Sequence, residues 1–188
     1  MSTNIQDTSP AAYGGISARV ARLSARDDLV LGGAVVTIGL LAGLFYCFAC
    51  AVVPGLHASS DRTVVEAMQN INVKIENPVF FATFLGGPAL AVWAYVAERR
   101  RGRPAVARWV LAGVVLAAAC LMVTFAFNIP LNDQLEQAGD PTTIADIAKV
   151  RDDFETPWVI WNIVRTVAVA GAFGCLARAL HLRARATR

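Results

Sequence analysis

The chain alternates between long apolar stretches and shorter polar connections, and this pattern predicts its architecture. Residues 29–56, 77–97 and 109–132 contain no charged side chain, and residues 156–177 contain one, Arg165. The hydrocarbon core of a membrane is about 30 Å thick, and about 20 apolar residues cross it as a helix. Because lipid offers the backbone no hydrogen-bond partners and these stretches lack the alternation of strands, we predict membrane-spanning helices.

The predicted fold is all-α: an integral membrane four-helix bundle with a short amphipathic helix in each of the two longer connections. We expect one transmembrane domain over residues 27–180, with spans at about 29–54, 78–97, 108–129 and 157–178. Apolar residues recur at helical spacing in both connections, at Val64, Val65, Met68, Ile71 and Ile75 and again at Ile144, Ile147 and Ala148. Residues 1–26 are predicted to be a disordered tail, and residues 181–188 a basic tail.

Lysine and arginine are distributed unevenly between the two ends of the spans. The N-terminal tail, the short connection 98–108 and the C-terminal end from Arg178 onward hold twelve of them, whereas the longer connections 57–76 and 133–155 hold four. Cytoplasmic loops of membrane proteins are enriched in these residues. We therefore predict an integral protein of the bacterial plasma membrane, with both termini in the cytoplasm and the two longer connections outside.

The composition supports this prediction and excludes several other classes of protein. Hydrophobic residues make up 56% of the chain and charged residues 16%, whereas soluble domains carry roughly 25% charged residues. A soluble α/β enzyme and a nucleic-acid-binding protein are therefore not expected. The expected partners are the lipid bilayer and a hydrophobic small-molecule ligand, and a homo-oligomer stays open.

Polar residues inside the predicted spans gather at the outer end. Span three ends with Asn128 and Asn132, and span four begins with Trp161, Asn162 and Arg165. Such residues are costly in a membrane and usually face the interior of a bundle. Two interpretations of Arg165 stay open. Its side chain either extends to the interface as a structural group, or it is a fixed cation that faces a pocket and binds an anionic ligand.

The sequence does not support a metal site or a nucleotide cofactor. The two histidines, His57 and His181, are predicted on opposite faces of the membrane. No group of cysteine, histidine and carboxylate residues has the spacing of metal ligands, and no glycine-rich nucleotide fingerprint is present. We therefore predict no metal site and expect no cofactor, and the use of a cofactor stays open.

Four segments together resemble the anthrone oxygenase-like family of small four-helix membrane proteins, most of which were catalogued as a domain of unknown function. The segments occur in order at residues 43–56, 68–80, 124–132 and 161–166. The resemblance implies a four-helix membrane fold over about residues 30–178. Fungal members of the family oxidise anthrones to anthraquinones with molecular oxygen. Many relatives carry histidine where this chain has Ile163, which argues against an indispensable base or metal ligand at that position.

The resemblance also implies a site for a polycyclic phenolic or quinone-like substrate of the anthrone type, with oxygen as co-substrate. The candidate hydrogen-bond donors for catalysis are Asn128, Asn132, Asn162 and Arg165. The candidate substrate-binding residues are Tyr46, Gln69, Asn72, Asn77, Phe80, Phe127 and Trp161. Glu76 and Asp133 both border the outer mouth, and the sequence selects neither as the base. The alternative is a non-catalytic protein that binds a small ligand or lipid, or an accessory subunit, so whether the chain is an enzyme stays open.

Overall fold

Helices form most of the chain in the computed structural model, which describes the backbone of residues 10–186 and the side chains of residues 28–186. Seven α-helices and two π-helical turns follow one another along this part of the chain. They are α1 (Pro10–Cys47), a π-turn (Phe48–Val52), α2 (Val53–His57), α3 (Asp61–Ile75), α4 (Pro78–Arg100), α5 (Pro104–Val123), a second π-turn (Thr124–Asn128), α6 (Ile129–Gln137) and α7 (Ile147–Ala186). Among these residues no strand occurs, which confirms the predicted all-α class.

Four apolar helices, each long enough to cross a membrane, make up the bundle. They cover Asp28–His57, Pro78–Arg100, Pro104–Gln137 and Ile147–Ala186. The α1 helix packs against α4 and α7, and α5 packs against the same two helices. The protein is therefore an integral membrane four-helix bundle, as predicted. We call the end that carries α2, α3 and α6 the loop end, and the end where α4 meets α5 the tail end.

Small residues allow the helices to approach one another closely at two points. A Cβ atom added to Gly113 would lie 2.9 Å from the side chain of Leu176, and one added to Gly87 would lie 3.0 Å from Thr37. Close approach through small residues is a main source of packing energy between membrane helices, because lipid provides no hydrophobic driving force. A Cβ at Gly113 would require Leu176 to shift, whereas one at Gly87 would require Thr37 to give by a few tenths of an ångström.

The two π-turns lie at corresponding places near the loop end. Each ends two residues before a proline, Pro54 in the first case and Pro130 in the second. Proline has no N–H and clashes with the carbonyl four residues earlier, and a wider turn relieves that clash. Widened turns are frequent at functional sites, since they redirect side chains. Here they place Phe48 and Thr124 in the bundle interior.

The two loop-end connections differ from each other. The predicted helix in the first connection is present as α3, which buries Val64, Val65 and Met68 against the bundle. The predicted helix of the second connection is not a separate element, since Ile147 and Ala148 lie in the first turn of α7 and Ile144 precedes that helix. This helix continues through Pro157. The carbonyl that loses its partner there belongs to Asp153, which is exposed, so the interruption is tolerated.

The tail regions are only partly described. Of the predicted disordered tail, residues 1–9 lie outside the described residues, whereas Pro10 onward is the helical start of α1. Of the predicted basic tail, residues 187–188 lie outside them, and Arg185 belongs to the last turn of α7.

Candidate functional site

A cavity of about 120 Å³ lies within the loop end of the bundle, beneath α3. Its wall is mainly aromatic, and these residues are Phe45, Phe48, Phe80, Phe81, Phe84, Phe125 and Trp158. A cavity of roughly 150 Å³ in another protein encloses one benzene ring. The space therefore fits one ring of a planar ligand, and further rings would extend through its open side.

Arg165 provides the positive charge of this cavity. The residue is 7% exposed and lines the cavity wall. Its guanidinium carbon lies 4.0 Å from the ring centroid of Phe45 and 5.3 Å from that of Trp158, so two aromatic faces hold it by cation–π contact. The second of these rings is that of Trp158, whereas Trp161, four residues before Arg165 in α7, stacks on Phe127.

One amide fixes the orientation of the guanidinium. The Nε of Arg165 donates to Oδ1 of Asn162 at 3.1 Å, and Nδ2 of Asn162 donates to the carbonyl of Phe45 at 3.4 Å. The terminal nitrogens of Arg165 make no hydrogen bond to any described residue, and no described carboxylate forms an ion pair with it. Its remaining donors are therefore available to a ligand.

Asn128 lies beside this pair but takes no part in the cavity wall. It is fully buried, and its Nδ2 donates to the carbonyl of Trp158 at 3.3 Å. Its Oδ1 has no partner among the described residues. The structure thus brings Asn128, Asn162 and Arg165 to one region, with Asn128 and Asn162 behind the cavity and Arg165 within its wall.

Two further amides line the cavity. Asn132 accepts a hydrogen bond from Nε1 of Trp158 at 2.8 Å, which leaves its own NH₂ group free to donate. The buried Nδ2 of Asn72 has no partner among the described residues. Together with Arg165 they provide the donors of the polar part of the wall, which also includes Glu76 as its one carboxylate among the described residues. Such a wall suits a ligand that carries oxygen acceptors or a negative charge.

Three of the four aromatic candidates for substrate binding lie outside the cavity. Tyr46 is 63% exposed on the lipid-facing side of α1, and its neighbour Phe45 occupies the cavity instead. Phe127 and Trp161 stack on each other, with ring centroids 3.6 Å apart, outside the cavity. The fourth aromatic candidate, Phe80, does line it.

Gln69 and Asn77 act on the backbone in this structure. The amide of Gln69 donates to the carbonyls of Leu135 and Gly139, and so ties α3 to the second connection. Asn77 caps the start of α4, since its Oδ1 accepts from the N–H groups of Val79 and Phe80. Both residues hold the cover of the cavity in place without lining it.

A separate ionic network lies at the surface of the loop end. Arg151 binds Glu155 and Asp61, and His57 lies 2.7 Å from the carboxylate of Glu155. Burial raises the pKa of Glu155, but hydrogen bonds from Arg151 and His57 outweigh burial and leave it below its usual value. The network joins α2 and α3 to α7. Within residues 28–186, no three His, Cys, Asp or Glu residues come together as a metal would require.

Fold and site together define a class: a four-helix integral membrane protein with an aromatic, donor-rich cavity around a buried arginine. Residues 75–175 match the family described as Anthrone oxygenase. This match covers more than half of the chain, and the protein belongs to that family. It includes α4, α5 and most of α7, whereas the segment at 43–56 and the first part of the segment at 68–80 precede it. Comparison with curated proteins and with solved structures finds no match.

Proposed function

We propose that this protein is a membrane-embedded oxygenase that acts on a polycyclic phenolic or quinone-like molecule of the anthrone type. One observation carries the proposal: Arg165 lines an aromatic cavity, and its terminal nitrogens have no partner among the described residues. The family membership supports an oxygenase-type role. Lipid surroundings also suit a substrate that partitions out of water.

The chemistry requires a flat apolar space next to a fixed positive charge. An anthrone loses a C–H proton from the carbon opposite its ketone, and the negative charge then spreads to the ketone oxygen. A guanidinium with free donors stabilises that oxygen more in the charged intermediate than in the neutral substrate. The stabilised anion passes an electron to oxygen, and this route has no need of a metal.

Oxygen consumption by the purified protein tests the proposal. Wild-type protein in detergent should consume oxygen with an anthrone and form the anthraquinone faster than a protein-free control, since anthrones also oxidise slowly by themselves. The Arg165→Met protein should consume oxygen only at the rate of that control. The Arg178→Met protein lacks an exposed arginine at the tail end of α7 and should keep the wild-type rate. A wild-type rate equal to the control would overturn the proposal.

A non-catalytic function in ligand or lipid binding is the second candidate. Its specific support is the open side of the cavity, where Phe81, Leu85 and Phe125 are exposed toward the surrounding lipid. A binding protein should retain a polycyclic phenol or co-purifying lipid in the cavity and leave the rate of oxygen uptake unchanged. The same assay, with mass spectrometry of the bound molecules, separates the two functions.

The orientation proposed for the protein places both termini in the cytoplasm of a bacterial cell and the loop end outside. The distribution of lysine and arginine supports it. In a chain without its native cysteines, a new cysteine at Ser60 or Asp140 should react with an impermeant reagent from outside. A cysteine at Arg101 should react only after the membrane is opened. The reverse pattern would contradict this orientation.

A further inference from the structure

We propose that Glu76 is the general base of this site, which takes the C–H proton of the substrate while Arg165 stabilises the resulting anion. This inference rests on the proposed oxygenase function. It also decides between the two carboxylates at the loop end that the sequence left open, Glu76 and Asp133.

The cavity wall provides the first argument. Among the described residues that line it, Glu76 is the only carboxylate, and no histidine, lysine, cysteine or tyrosine joins it there. Asp133 follows the lining residue Asn132 in α6, yet it is exposed and does not line the cavity itself. His57 and Glu155 pair with each other at a different groove. Glu76 is therefore the side chain in the wall that can accept a proton.

The local backbone holds Glu76 at this position. The residue ends α3 with φ −74° and ψ 66°, and the N–H of Asn77 donates to the carbonyl of Ile75 at 2.8 Å. These values describe an inverse γ-turn centred on Glu76. Asn77 closes the turn from both sides, since its Nδ2 donates to the carbonyls of Lys74 and Ile75 while its Oδ1 caps α4. The turn thus fixes where the carboxylate enters the cavity wall.

Exposure of Glu76 suits the second half of a proton-transfer cycle. Arg165 is buried deep in the wall, whereas Glu76 lies at the mouth, where it reaches both the cavity and water. A base must return the proton that it accepts, and water at the mouth provides that route. Arg165 therefore stabilises the substrate anion inside the cavity, and Glu76 exchanges the proton with water at its opening.

The proposed steps balance for one anthrone and one oxygen molecule. The carboxylate of Glu76 takes a proton from the CH₂ carbon, and the electron pair of that C–H bond moves into the ring system and onto the ketone oxygen. The carbanion gives one electron to oxygen, and the radical and superoxide combine in a new C–O bond. The hydroperoxide anion takes a proton back from Glu76. Loss of water then leaves the second ketone, so the products are one anthraquinone and one water.

The test compares Glu76→Gln with Asp133→Asn, an exposed acid-to-amide change on the neighbouring helix. Glu76→Gln should lower the rate of oxygen uptake by about a hundredfold or more, the usual contribution of a general base. Its Kd for a stable anthraquinone should stay at the wild-type value, because the amide keeps the shape of the side chain. Asp133→Asn should match the wild type in both measurements. A Glu76→Gln protein with near-normal turnover would overturn the inference and leave the oxygenase function standing.

An anaerobic measurement separates the base from the oxidation. Without oxygen, the wild-type protein should accelerate the loss of deuterium from an anthrone labelled at its CH₂ carbon, and Glu76→Gln should not. If this exchange occurs but oxygen is not consumed, the base stands and the oxygenase function fails. If the wild-type protein accelerates neither process, both proposals are overturned.

Discussion

Two arginines are buried among the side chains that the structure describes, one near each end of the bundle, and their surroundings differ. At the tail end, Arg183 lies 2.8 Å from the carboxylate of Glu98, which is 0% exposed, and 2.6 Å from that of Asp28. At the loop end, Arg165 has two aromatic rings and one amide, and no described carboxylate pairs with it. Arg183 therefore belongs to a neutralised ionic cluster, whereas Arg165 keeps its charge available.

This difference indicates what each arginine does. A buried charge is costly unless it is paired, and the Arg183 cluster meets that requirement by itself as it joins α1, α4 and α7. Arg165 has no such charged partner among the described residues. A cation kept in such surroundings is typical of a functional site that an anion completes. The comparison predicts that Arg183 contributes mainly to stability, and Arg165 mainly to ligand binding.

The largest expected effect on stability belongs to the tail end. Arg183→Met leaves Glu98 as a buried carboxylate without its nearest partner, and breaking a buried pair in this way costs about 3–5 kcal/mol. The free energy of unfolding in detergent, measured by denaturant titration, should fall by that amount. Arg185→Met removes an exposed arginine from the same helix end and serves as the control. Equal stability of the two variants would contradict the prediction that Arg183 contributes mainly to stability.

A smaller loss is expected when the amide that orients Arg165 is removed. Asn162→Ala leaves Nε of Arg165 and the carbonyl of Phe45 without their partner, and an unsatisfied buried group costs about 1–3 kcal/mol. We expect a lower free energy of unfolding and weaker binding of an anthraquinone. Asn70→Ala, on the exposed face of α3, should change neither. Normal binding by Asn162→Ala would show that the orientation of the guanidinium is unimportant.

The contact between Phe45 and Arg165 should contribute less. Phe45→Leu keeps an apolar side chain in the wall but removes the cation–π contact, which is worth about 0.5–2 kcal/mol. A double-mutant cycle with Arg165→Met isolates this contact from the loss of packing. The coupling energy from unfolding measurements should be favourable and of that size. A coupling energy of zero would mean that the ring only fills space.

The smallest effect belongs to the surface network around Glu155, and it depends on pH. Because hydrogen bonds hold the pKa of Glu155 below the usual value of about 4.3, the network stabilises the protein above that pH and loses its contribution as the pH falls through the lowered value. Glu155→Gln should reduce stability slightly at neutral pH and not at all at the acid end. Unfolding of both proteins from neutral pH to acid checks this. A difference in stability between the two proteins that grows toward acid pH would contradict this prediction.

The four spans were predictable from the sequence because apolar stretches of this length, with one charge at most, can adopt few structures other than membrane-spanning helices. The contact of Asn162 with Arg165 was predictable too, since residues three apart on a helix share a face. Which of Phe45 and Tyr46 lines the cavity was not predictable. The sequence of α1 is apolar on all sides from Leu29 to Val53, so no polar face marks which residues point inward.

The ionic cluster at the tail end could not be found by the same reasoning. Glu98 stands next to a run of arginines that the sequence indicates as solvated charges. Its burial depends on Arg183 at the far end of the chain, which only the packing of α4 against the end of α7 brings near. The wall of the cavity likewise draws residues from five helices and both π-turns, and their spacing in the sequence holds no common pattern.

The affinity of Arg165→Met for a polycyclic phenol or quinone tests the central claim most directly. Wild-type, Arg165→Met and Arg165→Lys proteins would be titrated with a stable hydroxyanthraquinone, and their unfolding would be measured in the same detergent. Loss of a charged hydrogen bond, worth about 1.5–3 kcal/mol, should raise the Kd of Arg165→Met by about 10- to 150-fold. Its free energy of unfolding should stay close to the wild-type value, since removal of an unpaired buried charge offsets the lost bond to Asn162 and the lost cation–π contacts. Arg165→Lys should also bind weakly because it lacks the planar fork. An Arg165→Met protein that binds normally, or that fails to fold, would contradict the account.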